Sequence, residues 1–261
     1  MSAGSWLWGA GFECKWIEVT HVTHRLRRLD RAWDGVRLLQ LSDIHVDGWM
    51  SQDRLSTIVA LAKEQKVDIV VLTGDYVTEE PAFWETALTR GLQGLSAPLG
   101  VYAVLGNHDQ WDGGTTVRHA LKANGIVELR NQVHTFTRGG APLHLAGLDD
   151  IMFHKHDFLG TIEQLPPEGA SVLLAHEPDF ADIVTRFERF DVQLSGHSHG
   201  GQVCLPFGRP VHVPDLSQNY PRGQYQVGNL SLYTNRGLGM IGPHIRLFCR
   251  PEMTVHTLRC A

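Results

Sequence analysis

Five short polar clusters hold the residues whose types and spacing could do chemistry in this chain. They are Asp43-Ile44-His45, Gly74-Asp75, Gly106-Asn107-His108-Asp109, Ala175-His176 and Gly196-His197-Ser198-His199. Asp43 and His45 put a carboxylate and an imidazole on the same side of an extended segment, a two-toothed ligand for a divalent cation. Asp75 follows a glycine, and its two oxygens can bridge two cations. Asn107 offers a neutral amide oxygen, which suits a site already rich in negative charge. His176, His197 and His199 complete a set of three carboxylate or amide groups and four imidazoles. Mixed nitrogen and oxygen ligation fits Mn, Fe, Zn or Co far better than Ca or Mg. Two such ions about 3.5–4 Å apart can clamp a phosphate and activate a water for in-line attack. The leaving alkoxide then needs a proton, and His108, beside Asn107, is placed to supply it as a general acid.

Singly, these clusters are weak signals. With 15 histidines in 261 residues, roughly one H-x-H pair is expected by chance. His154-Lys155-His156 is such a pair, and it lies in a loop-like stretch with no preceding strand. The five clusters differ from it because an apolar strand precedes each. A second strand, Val36–Leu41, follows a first at 16–22 and runs into Asp43. Helical spacing from Gln52 to Lys66 puts Leu55, Ile58, Val59 and Ala62 on one face. The near-continuous apolar run Val67–Leu72 reads as a strand buried on both faces and ends at Asp75. A helix around Trp84–Leu95 precedes strand Val101–Leu105, which ends at Asn107. A helix over Thr116–Ala123 leads to strand Leu143–Ala146. Strand Ser171–Leu174 ends at His176, and a helix from Pro178 to about Phe187 precedes strand Val192–Leu194, which ends at His197. Short apolar runs at 211–213, 231–233, 245–248 and 254–258 predict a mostly β C-terminal part. Open α/β sheets gather ligands outside the carboxyl ends of their strands, so clusters distant in sequence should meet at one edge.

Composition sets outer bounds. The chain is 43% hydrophobic and 20% charged, an ordinary globular balance, with no linker or repeat to divide residues 1–261, so one domain is expected. A formal charge of -5 gives no footprint for nucleic acid. Cys14, Cys204, Cys249 and Cys260 show no C-x-x-C spacing, which argues against a thiolate zinc site and for a reducing, cytoplasmic setting. Trp6, Leu7, Trp8 and Phe12 make an apolar stub within residues 1–15, but glycines and Glu13 interrupt it. Spanning a bilayer takes roughly 20 apolar residues, and a signal peptide needs a continuous apolar core. The stub meets neither requirement, and no apolar run follows Arg27-Arg28. Its aromatics could still touch the inner face of a membrane or pack on the domain.

Taken together and in order, the clusters between about residues 36 and 202 resemble the calcineurin-like metallophosphoesterase superfamily. The resemblance implies an α/β fold, a four-layer sandwich of two mixed β-sheets flanked by helices, with a dinuclear centre at the sheet edge. It implies that Asp43, His45, Asp75 and His199 bind one metal. Asp75 (bridging), Asn107, His176 and His197 would bind the other, with manganese the first expectation and His108 as the acid or phosphate-binding residue. Serine/threonine protein phosphatases carry Asp and Arg three and four positions after the bridging Asp, where this chain has Thr78 and Glu79. Their Asn-His motif ends in Glu, where this chain has Asp109. A protein phosphatase is therefore not expected. His199-Gly200-Gly201-Gln202, Tyr233 to Gly239 and Ile245-Arg246-Leu247 are similar to small bacterial phosphodiesterases of the YkuE and YaeI branch. That branch includes enzymes that cleave the pyrophosphate of UDP-2,3-diacylglucosamine in lipid A synthesis. The implied activity is a phosphodiesterase or pyrophosphatase on a small-molecule or lipid-linked nucleotide, with a phosphomonoesterase or a non-catalytic scaffold as alternatives. Arg236 could hold a distal phosphate or form a surface salt bridge.

Overall fold

The computed structural model describes residues 8–261; Trp6 and Leu7 of the apolar stub lie outside the described residues. In chain order the elements open with β1 (Glu18–Leu26), β2 (Arg37–Leu41), α1 (Gln52–Glu64), β3 (Ile69–Thr73), α2 (Pro81–Gly91), β4 (Val101–Val104) and α3 (Thr115–Ala123). There follow β5 (Val127–Glu128), β6 (Gln132–Arg138), β7 (Ala141–Gly147), α4 (Phe158–Gln164), β8 (Ala170–Leu174), α5 (Ala181–Val184) and β9 (Val192–Ser195). β10 (Gly223–Val227), β11 (Leu230–Thr234) and β12 (Glu252–Cys260) complete the set.

The apolar strands β2 and β3 are buried along nearly their whole length, so each needs cover on two faces. Leu39, Leu41, Val70 and Leu72 pack with Leu55, Ile58, Val59 and Ala62 of α1, the face that the helical spacing marked out. Leu38, Ile69 and Val71 pack the other way, with Leu145, Val172 and Leu194 of a second sheet. That sheet turns Ala146, Leu173 and Leu232 outward onto Phe158, Ala181 and Val184. The result is helices, sheet, sheet, helices, with each fully buried leucine contributing about 1.5–3 kcal/mol. Ser51 starts α1 by accepting the Arg54 N–H at 3.3 Å, a cap of the kind worth about 1 kcal/mol.

The first sheet runs β1-β12-β2-β3-β4-β5 and the second β10-β11-β9-β8-β7-β6. Both are mixed. β2, β3, β4 and β5 are parallel while β12 runs antiparallel to β2. β7, β8, β9 and β11 are parallel, with antiparallel β6 and β10 at the edges. Parallel pairing is what directs several carboxyl ends to one side.

Some elements depart from the sequence reading. The expected helix from Pro178 breaks into 3-10 turns around a single α turn, and Glu188 ends it with φ 52. The runs at 211–213 and 245–248 form no strand; only isolated bridges such as Val203 to Leu247 occur there. Single backbone bonds rather than a ladder hold those runs, among them Val211 N–H to Val203 O at 3.0 Å and Cys204 N–H to Leu247 O at 2.8 Å. The four cysteines are free, and no helix among the described residues is long and apolar enough to cross a membrane.

Candidate metal centre

Five strand ends deliver the five clusters to one place. Asp43 follows β2, Asp75 follows β3 and Asn107 follows β4; His176 follows β8 and His197 follows β9. Backbone bonds lash the loops together: Asp43 N–H to Gly74 O at 3.0 Å, His45 N–H to Asp75 O at 3.0 Å, and Gly196 N–H to His176 O at 3.0 Å. The two sheets are joined where the His197 N–H donates to Asp43 Oδ1 at 2.9 Å.

Two overlapping sets of donor atoms result. Asp43, His45, Asp75 and His199 form one and Asp75, His176 and His197 the other; within each set the atoms lie within 4.8 Å of one another. Asp75 belongs to both. Its Oδ2 is 3.5 Å from His45 Nε2 and 3.1 Å from His176 Nε2, while His199 Nε2 is 3.5 Å from Asp43 Oδ1. Asp43, His45 and Asp75 are at most 1% exposed. Asn107 stands on the turn after β4, and its Oδ1 is a buried acceptor without a protein partner.

The chemistry of these atoms fits cations. Buried polar atoms are normally satisfied, yet Asp43 Oδ2, Asp75 Oδ2, Asn107 Oδ1 and His176 Nε2 have no hydrogen-bond partner. The histidine tautomers are set from behind. His176 Nδ1 donates to Thr73 O at 2.7 Å, which leaves Nε2 as the ring atom that faces Asp75. His197 Nε2 donates to Asp215 O at 2.8 Å, which leaves Nδ1 as the acceptor. Such carbonyl partners are what orient metal-binding imidazoles. Burial pushes His45 down to about 3 and His197 down to about 4, so both rings are neutral and offer lone pairs near pH 7. Burial pushes the Asp43 carboxyl up to about 6. Burial acts on Asp75 in the same sense, but His176 beside it holds the carboxyl well below the ordinary carboxylate range, and Asp75 in turn raises His176 well above the usual imidazole range against the effect of burial.

The backbone carries a separate signal. Asp43, His45, Asp75, His197 and His199 all have φ between 49 and 69. Non-glycine residues in the left-handed region cost energy and cluster at functional sites. Gly106 has an ordinary φ of -110, but it is needed for close approach: a Cβ there would lie 2.7 Å from Asp75 N and 2.8 Å from His176 Cε1.

His108 is half-buried beside the set. Its N–H donates to Asp75 Oδ1 at 2.9 Å and its Nδ1 to Thr78 O at 2.7 Å. The ring stands edge-on to His45 at 5.0 Å between centroids. With Nδ1 committed, Nε2 is the atom left to carry or release a proton.

Two positioning residues were not assigned from sequence. Asp109 accepts the N–H groups of Asp75 and Gly106 at 2.9 Å each and of Tyr76 at 2.7 Å, which holds both loops in register. Arg246 is fully buried and donates to the carbonyls of Arg236 at 2.8 Å, Gly239 at 2.7 Å and His199 at 3.4 Å. The only sequence signal for either was a place in a motif, since their partners are backbone atoms. Arg236 takes the salt-bridge course. Its Nε donates to Glu252 Oε2 at 2.6 Å and its Nη2 to Glu18 Oε2 at 2.8 Å, so its guanidinium is occupied by carboxylates. The loop around it docks on Asp43 through the Gly239 N–H to Asp43 O bond at 2.7 Å. His154-Lys155-His156 is not in either donor set; it sits in a turn region, with His156 edge-on to Phe180.

Residues 36–201 match the sequence model of the calcineurin-like phosphoesterases. Over its length the chain is 35% identical to the metallophosphoesterase YkuE of Bacillus subtilis (strain 168), covering 99% of this chain and 93% of that protein. It is 31% identical to the phosphodiesterase YaeI of Escherichia coli (strain K12), covering 92% and 87%. In three dimensions it is similar to GAP50, the anchor in the inner membrane complex of Plasmodium. That likeness has a TM-score of 0.51 and 13% identity over 87% of this chain and 82% of that one, and concerns the fold alone.

Proposed function

The chain belongs to the calcineurin-like phosphoesterase family, metal-dependent hydrolases of phosphoesters, and on that premise we propose that it cleaves phosphodiesters or pyrophosphates with a pair of divalent ions. In this reading Asp43, His45, Asp75 and His199 hold one ion and Asp75, Asn107, His176 and His197 hold the other. The observation that carries it is the convergence of buried, partnerless Asp43 Oδ2, Asp75 Oδ2, Asn107 Oδ1 and His176 Nε2 on two overlapping donor sets. When bound there, the ions supply Lewis acidity and a nucleophilic water.

The protein's own groups do the rest. The Asp75 carboxylate is shared between the sets, and Asp109 fixes its backbone. Thr73 O and Asp215 O keep His176 and His197 in the ligating tautomers. His108, anchored through Nδ1, presents Nε2 to protonate the leaving oxygen. A diester suits this site better than a dianionic monoester. The nearby guanidiniums of Arg236 and Arg246 are spent on carboxylates and carbonyls, so neither is free to neutralise the second charge that a monoester carries on the phosphorus under attack. The phosphodiesterase YaeI supports the same choice. A small-molecule or lipid-linked nucleotide, such as UDP-2,3-diacylglucosamine, is the substrate class proposed, with manganese as the first metal to try.

Purified protein loaded with Mn²⁺ should turn over bis-p-nitrophenyl phosphate faster than p-nitrophenyl phosphate and stop when treated with EDTA. His108→Ala should lose about 10²–10⁴-fold in rate on a dialkyl phosphodiester, whose alkoxide leaving group needs the proton of a general acid, and less on the p-nitrophenyl esters. Faster turnover of the monoester would favour a phosphomonoesterase; no turnover of either would defeat the enzymatic reading.

A further inference from the structure

An apolar groove of about 330 Å³ adjoins the metal centre and shares His199 with it, Ser198 and His199 being among its lining residues. Its walls come from Val203, Val211, Pro214, Ile241 and Pro243. That volume falls at the lower end of the range for small-molecule sites. The groove does not enter the account of the metal chemistry.

The walls are built rather than incidental. Gln202 Oε1 accepts the Ile241 N–H at 3.0 Å, and its Nε2 donates to Ile241 O at 2.8 Å and Pro243 O at 3.0 Å. The amide that could have made the groove polar is thereby used to hold the 241–243 wall. The Val211 N–H donates to Val203 O at 3.0 Å and ties two further wall residues together. Gly201, at φ 83, lets the 210–212 arm close in: a Cβ there would stand 3.1 Å from Pro210 Cα and from His212 O. His212 is the one remaining polar wall residue with an ionisable side chain outside the metal set.

We infer that this groove is a specificity subsite that takes an alkyl or acyl substituent carried on the scissile phosphate. His199 lines the groove and also belongs to the donor set, so a substrate whose phosphorus sits at that set can lay an attached chain along the groove. The inference rests on the phosphodiesterase reading and adds the chemical class of the group beyond the phosphate. Van der Waals contact with valine, isoleucine and proline rewards methylene groups and leaves a hydroxylated or charged substituent without partners.

A series of methyl, butyl and hexyl p-nitrophenyl phosphodiesters, kept below their aggregation concentrations, tests it on the metal-loaded enzyme. KM should fall roughly two- to fourfold per added methylene, the upper figure being one fully buried CH₂ at about 0.8 kcal/mol. Val211 is exposed, so Val211→Asp should fold normally and flatten the series. A parent enzyme that turns over the methyl ester but shows no dependence on chain length overturns the subsite alone. A dependence that survives Val211→Asp and Ile241→Asn overturns it too. Absence of turnover even of the methyl ester overturns the phosphodiesterase reading and the subsite with it.

Discussion

Replacing Gly106 by alanine should damage the centre through one methyl group. The φ of -110 suits alanine, so backbone strain does not enter. The Cβ would stand 2.7 Å from Asp75 N and 2.8 Å from His176 Cε1, where ordinary contact begins near 3.4 Å, and would also press on Asp75 Oδ1. Relief requires one strand end to retreat by about 0.6–0.7 Å. Overpacking of this kind costs about 1–3 kcal/mol, or a Tm lower by roughly 3–10 °C for a chain of this size. Displacements near 1 Å in an active site cost about 10²-fold in rate, so a loss of 10- to 100-fold is expected for bis-p-nitrophenyl phosphate. Gly48→Ala is the matched control: its Cβ would meet nothing within 4 Å and its φ is not left-handed. Circular dichroism, thermal melts and steady-state rates on the three proteins make the comparison. If Gly106→Ala melts within 1 °C of the parent and keeps more than a third of its rate, the close packing of β3, β4 and β8 ends around Asp75 is not what sets the geometry.

Arg236→Gln should lower Tm because Glu252, 1% exposed, loses its partner, while KM for the diester stays within about twofold; a KM rise of tenfold would restore a substrate-binding role for Arg236. Burial pushes His24, which belongs to neither donor set, down to about 4. Its unfolded value is near 6.5, so the unfolded chain binds the extra proton between those values and stability falls as pH drops from about 6.5 to about 4. The contribution is about 3 kcal/mol. Urea midpoints at pH 7 and 4.5 should show a smaller difference in His24→Leu than in the parent; an unchanged difference would assign the acid sensitivity elsewhere.

Residues that act through long-range sequence order were legible before the fold. Asp43, Asp75, Asn107, His176 and His197 each follow a run apolar enough to read as a strand, and parallel pairing gathers them at one edge. Strands such as β6, with the half-exposed sequence Gln132–Arg138, were not legible, because an edge strand with polar residues on both faces has no clear period. α4 was missed for a related reason: only Phe158 and Thr161 in its seven residues are buried. Asp109 and Arg246 were not assigned because their partners are backbone N–H and carbonyl groups, which leave no trace in side-chain type. Arg236 was ambiguous because its carboxylates, Glu18 and Glu252, come from opposite ends of the chain and meet only when β12 inserts beside β1.

Anomalous diffraction from crystals soaked in Mn²⁺ tests the dinuclear claim most directly. Two peaks about 3.5–4 Å apart are predicted, one touching Asp43, His45 and His199, the other Asn107, His176 and His197, with Asp75 touching both. A single peak, or manganese bound away from Asp75 in an otherwise unchanged fold, would contradict it.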